Sequence, residues 1–166
     1  TTLPPGQLLR IFQSPGPTYD AEGFGADWWN TARALYASGM RKGDIVHNTF
    51  AYHFTPAGVM MEAGAQAIGC AVFPAGIGNT ELQVQAIHDI KPTAYTGTPS
   101  FLRIILEKAD EMGKDVSSLR NACVGGEGLL PDLRAAIESY GLRDVGPRGF
   151  GRQRKHHRRS GPPRHR

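Results

Sequence analysis

From Asp44 onward, short apolar runs alternate with longer amphipathic segments, and glycine, proline or a capping residue stands at nearly every junction. "DIVHN" (Asp44–Asn48), "CAVF" (Cys70–Phe73), "TAYT" (Thr93–Thr96) and "NACV" (Asn121–Val124) have the length and composition of buried strands. Between them lie "TPAGVMMEAGAQAIG", "TELQVQAIHDI" and "PSFLRIILEKADEM", three expected helices. Thr55 is the expected N-cap of the first, with Pro56 in the first helical position and Gly69 closing it. Thr80 and Gln83 have capping-box spacing at the head of the second, and Lys91-Pro92 ends it. Thr98-Pro99 opens the third and Gly113 stops it. A fourth helix is expected from Pro131 to Tyr140, and "LRDV" (Leu142–Val145) begins a fifth strand. Upstream, "DWWNTARALYASG" reads as one more helix. Strands that are apolar on both faces, separated by helices, are the mark of repeated βαβ units. The expected fold is α/β, a parallel sheet with helices on both faces.

In open parallel sheets, ligands bind beyond the carboxyl ends of the strands. That rule selects the strand-to-helix loops "TFAYHFTP", "PAGIGNTE", "GTPS" and "GGEG". In the last, Gly125, Gly126, Glu127 and Gly128 bring a single carboxylate to the entrance of a helix, with glycines that let backbone come close to a partner. Two readings fit those residues: a ligand contact, or a solvated turn carboxylate favoured by the positive helix end.

The formal net charge of +4 is not evenly spread. Residues 146–166 hold seven Arg, one Lys, three His and no acid, which leaves 11 basic against 15 acidic residues in the rest. The body is thus a mildly acidic domain, and the basic stretch lacks the periodic apolar residues that would pack on a core; it is expected to be a disordered tail. Its onset in the middle of a strand, and its Arg, Gly, Pro and His composition, suggest a shifted reading frame. Against a nucleic-acid role, no aromatics beyond Phe150 are interleaved and the body offers no basic groove. Cys70 and Cys123 each sit in an apolar run, as buried residues of a protein kept reduced in the cytoplasm. No apolar run approaches the roughly 18–20 residues of a membrane span.

Taken in order and spacing, "GDIVHNTFAYHFTPAG", "GCAVFPAGIGNTELQVQAI", "PTAYTGTPSFLRIILEKA" and "SLRNACVGGEGL" resemble the phenylacetate–CoA ligase family of adenylate-forming enzymes. The resemblance covers roughly Leu8 to Val145 and is most specific in "GNTE" followed by "QVQAI" and in the helix-opening "GTPS". It implies that a carboxylic acid attacks the α-phosphate of ATP to give acyl-AMP and pyrophosphate, and that coenzyme A then displaces AMP. ATP, Mg2+ and coenzyme A are the implied cofactors, and an aryl acetate the implied acid. By that resemblance Gly125, Gly126 and Glu127 form one wall of the adenine pocket. Phe50, Tyr52 and Phe54 are candidates to line the acyl pocket, as flat apolar walls suit an aryl acid, or else they pack beneath the following helix. His53 could orient the carboxylate; His47, directly after the strand, reads as structural. Asn79 and Thr80 read as capping residues.

Two departures from the family pattern matter. Where relatives carry a phosphate loop of the form S-S-G-T-T-G-x-P ending in lysine, this chain has "FQSPGPTYD". Ser14, Gly16 and Thr18 remain as possible contacts, but there is no lysine, and two prolines remove N–H donors. Further, the segments that supply the family's magnesium-supporting acid, ribose aspartate and mobile lysine find no counterpart here. The expected organisation is therefore an N-terminal segment with a degenerate phosphate loop (1–26), an incomplete AMP-binding-type domain (27–145) and the basic tail (146–166). The expected function is that of an acyl-CoA ligase fragment inactive by itself; the alternative is a non-catalytic nucleotide- or acyl-binding module. A sheet left open at its fifth strand would also allow a homodimer.

Overall fold

The computed structural model describes residues 4–14 and 16–146. Among the described residues, seven strands and five α-helices follow one another as β1 (Arg10–Gln13), β2 (Tyr19–Glu22), α1 (Ala32–Ala37), β3 (Ile45–Asn48), α2 (Ala57–Ile68), β4 (Ala71–Pro74), α3 (Thr80–Ile90), β5 (Ala94–Gly97), α4 (Pro99–Met112), β6 (Asn121–Val124), α5 (Pro131–Glu138) and β7 (Asp144–Val145). Strands β3 to β7 form one sheet in the order β4-β3-β5-β6-β7, and every neighbouring pair is parallel. The α/β fold with its parallel sheet is as the sequence led one to expect. The basic run from Pro147, expected to be a disordered tail, lies outside the described residues.

Alternation along each strand divides the core between two faces of the sheet. Val46, Ala94 and Cys123 meet Leu35 and Met40 of the α1 region and Met61 and Ala65 of α2. Tyr95, Ala122 and Val124 meet Val84 and Ile87 of α3, Leu102, Ile105 and Leu106 of α4, and Ile137 of α5. Most strand side chains on both faces are apolar and buried, which is why the strands read as largely apolar runs; His47, Asn48 and Thr96 near the carboxyl ends are the buried polar exceptions.

Helix boundaries follow local chemistry. Gly69 ends α2 in the left-handed conformation at φ 93°. Thr98 caps α4, its hydroxyl accepting from the Phe101 N–H, and Pro99 takes the first helical position. Several expectations need correction. Helix α2 starts at Ala57 with Pro56 in the capping position, so Thr55 lies outside it. The capping box of Thr80 and Gln83 does not form: Thr80 is already helical, Asn79 precedes it at φ 49°, and Gln83 points into the interior. The helix expected from Asp27 is confined to Ala32–Ala37. Asp27 and Asn30 adopt positive φ, and the Asp27 carboxylate accepts from the Thr31 N–H at 2.8 Å and the Ala32 N–H at 3.0 Å. A side chain that caps a helix from four residues upstream cannot also lie inside it.

The segment expected to carry a degenerate phosphate loop is an antiparallel hairpin, with Gln13 opposite Tyr19 at its tip. Strand β1 reaches the main body through the Gln13 N–H, which donates to the Phe54 carbonyl at 2.8 Å.

Candidate functional site

Strand order reverses beside β3: the chain leaves β3 toward β4 on one side and returns to β5 on the other. Helix α2 packs on one face of the sheet, while α3, α4 and α5 pack on the other. The loops after β3 and β5 therefore part in opposite directions at their carboxyl ends and leave a crevice, the place where such sheets bind ligands.

Asn48, the last residue of β3, organises this crevice. It is fully buried, and its amide is satisfied on all sides. Nδ2 donates to the Tyr52 hydroxyl at 2.7 Å and the Gly58 carbonyl at 2.8 Å, while Oδ1 accepts from the Thr96 hydroxyl at 2.9 Å and the Phe50 N–H at 3.2 Å. One side chain thus fixes the β3 loop against both the start of α2 and the neighbouring strand. Beside it, the Thr49 and Tyr95 hydroxyls lie 2.7 Å apart above Gly97. A Cβ at Gly97 would stand 2.0 Å from Thr49 Oγ1, so this approach requires glycine.

Next to this network lies a cavity of about 370 Å³. Phe50 from the β3 loop and Ala57, Met60 and Met61 from α2 form one side; Val124, Gly125, Gly126 and Glu127 form the other. Gly126 has φ 83°, and a Cβ there would touch Thr98 and Phe50 at 3.5 and 3.8 Å. The Gly125 N–H donates to the Gly97 carbonyl at 3.0 Å, and Glu127 Oε1 accepts from the Ser100 N–H at 2.6 Å. The result is an apolar slot with one bare stretch of backbone and one carboxylate at its mouth, suited to a flat, weakly polar group.

Of the predicted site residues, the structure brings together Phe50, Gly125, Gly126 and Glu127. Tyr52 is turned away from the cavity and packs on Gly58, with its hydroxyl accepting from Asn48. Burial above all, with Glu62 adding to it, holds its phenol well above the ordinary range, so it stays protonated. His53 and Phe54 are exposed and outside the cavity lining. Ser14, Gly16 and Thr18 occupy the hairpin tip, which does not line the cavity either. There the Ser14 hydroxyl donates to the Asp20 carboxylate and the Ser14 N–H to the Thr18 carbonyl at 3.1 Å. Between Phe12 and Asp20 the hairpin carries no lysine or arginine.

Sequence reasoning missed Asn48 and the two methionines. A polar amide at the end of an apolar strand, just before an aromatic-rich loop, was the available signal for Asn48. His47 is buried: its Nε2 lies 2.5 Å from Gln83 Oε1, and its ring stacks on Phe73 with centroids 5.3 Å apart. Gln83 in turn donates to the carbonyls of Gly76 and Gly78, which shapes the β4 loop. Among the described residues, no three His, Cys, Asp or Glu stand close enough to hold a metal ion.

The family described as AMP-binding enzyme matches residues 25–147. The chain is 35% identical over 161 residues to the phenylacetate-coenzyme A ligase of Aromatoleum evansii, and 33% identical over 162 residues to that of Escherichia coli strain K12. Each match takes in 86% of this chain and 37% of the relative, so the chain spans little more than a third of the length of these curated relatives. A solved 2-hydroxyisobutyryl-CoA ligase, in the postadenylation state with 2-HIB-AMP, superposes with a TM-score of 0.73 at 25% identity over 84% of this chain and 32% of that one. An anthranilate CoA ligase in complex with anthranoyl-AMP shares the fold, with a TM-score of 0.64 at 24% identity over 80% of this chain and 27% of that one. With the family matched along most of its length, the parallel sheet and the crevice at its reversal point in place, this chain belongs to the AMP-binding enzymes and is similar within them to the phenylacetate-coenzyme A ligases.

Proposed function

We propose that this chain forms the adenylate and acyl walls of a cytoplasmic, ATP-dependent acyl-CoA ligase whose substrate is an aryl-substituted carboxylic acid. In that reaction a carboxylate oxygen attacks the α-phosphorus of ATP and expels pyrophosphate. The thiol of coenzyme A then attacks the acyl carbon and expels AMP. The observation that carries the reading is the slot between Phe50 and Gly125–Glu127, at the carboxyl ends of the strands where the sheet reverses. A purine can lie flat on the Gly125–Gly126 backbone, because no side chain intervenes. Phe50, Met60 and Met61 supply an apolar and adaptable surface that accepts an aromatic ring and offers no polar partner to a charged one. Coenzyme A enters only by similarity to the relatives named above, and no residue is assigned to it.

Titrating the labelled chain with AMP and with phenylacetate, followed residue by residue in ¹H–¹⁵N NMR spectra, tests this. Shifts are expected at Phe50, Gly125 and Gly126, with millimolar affinity for AMP. Shifts confined to a different surface, such as the cleft lined by Arg33, Tyr36 and Lys42 on the α1–α2 face, would overturn the assignment.

A further inference from the structure

Two hydrogen bonds tie the β6 loop that walls the cavity to the end of β5 and the start of α4, and they differ in kind. At Gly125 the tie is backbone to backbone, N–H to the Gly97 carbonyl at 3.0 Å. At Glu127 the tie is a side chain reaching 27 residues back in sequence, with Oε1 2.6 Å from the Ser100 N–H. Gly126 bridges the two at φ 83°, with only Thr98 Cγ2 and Phe50 Cε1 near the place a Cβ would occupy. Ser100 is the second residue of α4, a helix of 14 residues, and its amide is one of the donors that a helix leaves without an internal partner. Thr98 satisfies the amide of Phe101 at 3.4 Å; Glu127 satisfies that of Ser100. Helix α4 is thus capped partly from within and partly from the next strand-to-helix loop, and the positive end of the helix favours the carboxylate there.

We infer that Glu127 is a positioning residue: its carboxylate latches the Gly125–Gly126 backbone to the first turn of α4 and holds the flat wall in place, and the wall rather than the carboxylate meets the purine. The inference rests on the nucleotide reading of this cavity and assigns the glutamate a role within it. Here one oxygen is spent on a backbone amide at short, charge-assisted distance. Without the latch, the loop between Val124 and Pro131 keeps the Gly125 tie at its near end and Leu129 packed on the core at its far end, and Gly126 between them is left to sample the wide conformational range open to glycine.

Glu127→Gln preserves an oxygen that can accept from Ser100; Glu127→Ala does not. Hydrogen exchange of the Ser100 amide in the ligand-free chain is the first measurement. Exchange about tenfold faster is expected in Glu127→Ala, and close to the original rate in Glu127→Gln. An unchanged Ser100 rate in the alanine variant overturns the latch, whatever becomes of nucleotide binding. The second measurement is affinity for AMP and for inosine monophosphate, which replaces the exocyclic amine with a carbonyl. Glu127→Ala is expected to weaken both by the same factor, about tenfold, with Glu127→Gln restoring most of the loss for both. Loss for AMP alone, with inosine monophosphate unaffected, overturns the positioning role in favour of direct reading of the amine. Absence of binding by the original chain, with the Ser100 rates behaving as expected, would overturn the nucleotide reading and leave the latch standing.

Discussion

His47 is a neutral imidazole in a dry place. The oxygen of Gln83 can only accept, so the facing Nε2 carries the proton and Nδ1 is a bare lone pair, buried and without a partner among the described residues. Burial lowers its pKa from 6.5 to about 4, and the hydrogen bond to Gln83 opposes this only in part. On acidification the unfolded chain takes up this proton first. Its contribution to stability is therefore complete above about pH 6.5 and is lost as the pH falls toward 4, for a total of about 3 kcal/mol. Urea unfolding of the original chain and of His47→Gln at pH 7, 5.5 and 4.5 checks this. The original chain should lose stability more steeply across that range, and equal slopes would mean that the histidine titrates normally. The same neighbourhood shows what single residues reveal in sequence. Glu127 was legible, because a strand, two glycines and an acid before a helix is a local pattern. Its partner was not, because Ser100 lies 27 residues away and donates through its backbone. Gln83 was legible as polar but misassigned, since the spacing that suggests a capping box also turns it, one helical turn in, toward His47.

At the level of elements, the strands and long helices were legible because their boundaries are set by local chemistry. β6 spans Asn121–Val124 as expected, while β4 and β5 are shifted by one residue. The hairpin of β1 and β2 was not legible as a hairpin. Its Pro-Gly tip was the signal, but a turn in that place also matched the family's phosphate segment. Helix α1 was overextended because two tryptophans and an asparagine were counted as helical, although Asn30 takes φ 56°. The packing of α1 on α2 depends on a feature that only three dimensions display. A Cβ on Gly64 would stand 2.2 Å from Thr31 Oγ1 and 2.7 Å from the Ala32 nitrogen. Thr31 has no room to yield, since its hydroxyl donates to the Met60 carbonyl at 2.6 Å and its amide to Asp27 at 2.8 Å. Gly64→Ala should therefore destabilise the fold by about 2–3 kcal/mol in denaturant unfolding, despite the better helix propensity of alanine. Gly128→Ala, with nothing within 4 Å of the added Cβ, should change stability by less than about 0.5 kcal/mol. Similar losses for the two would mean that α1 and α2 can slide apart at low cost.

For the whole molecule, the question is whether these 166 residues can carry out acid activation by themselves. Phosphoryl-centre chemistry needs charge offset where it develops, and the attacking and leaving oxygens must be held in line. The four rim loops, "TFAYHFTP", "PAGIGNTE", "GTPS" and "GGEG", contain no lysine or arginine. The hairpin tip brings a carboxylate at Asp20 with Ser14 already committed to it. What the molecule does have is shape: a sheet reversal, a slot of about 370 Å³, a bare backbone wall and an apolar floor. Shape of that kind binds a flat nucleotide or an aryl acid equally well in the ground and transition states, and uniform binding does not accelerate a reaction. The purified chain is accordingly expected to bind AMP weakly and to catalyse no exchange of labelled pyrophosphate into ATP, with or without phenylacetate. Phenylacetate-dependent exchange above the background of a Phe50→Ala, Glu127→Ala double variant would show that the loops described here, cation-free as they are, suffice for the chemistry. In that case the charge offset would have to come from backbone amides alone, and the candidates would be the N–H groups at the start of α2, whose helix end opens onto the same rim as the cavity.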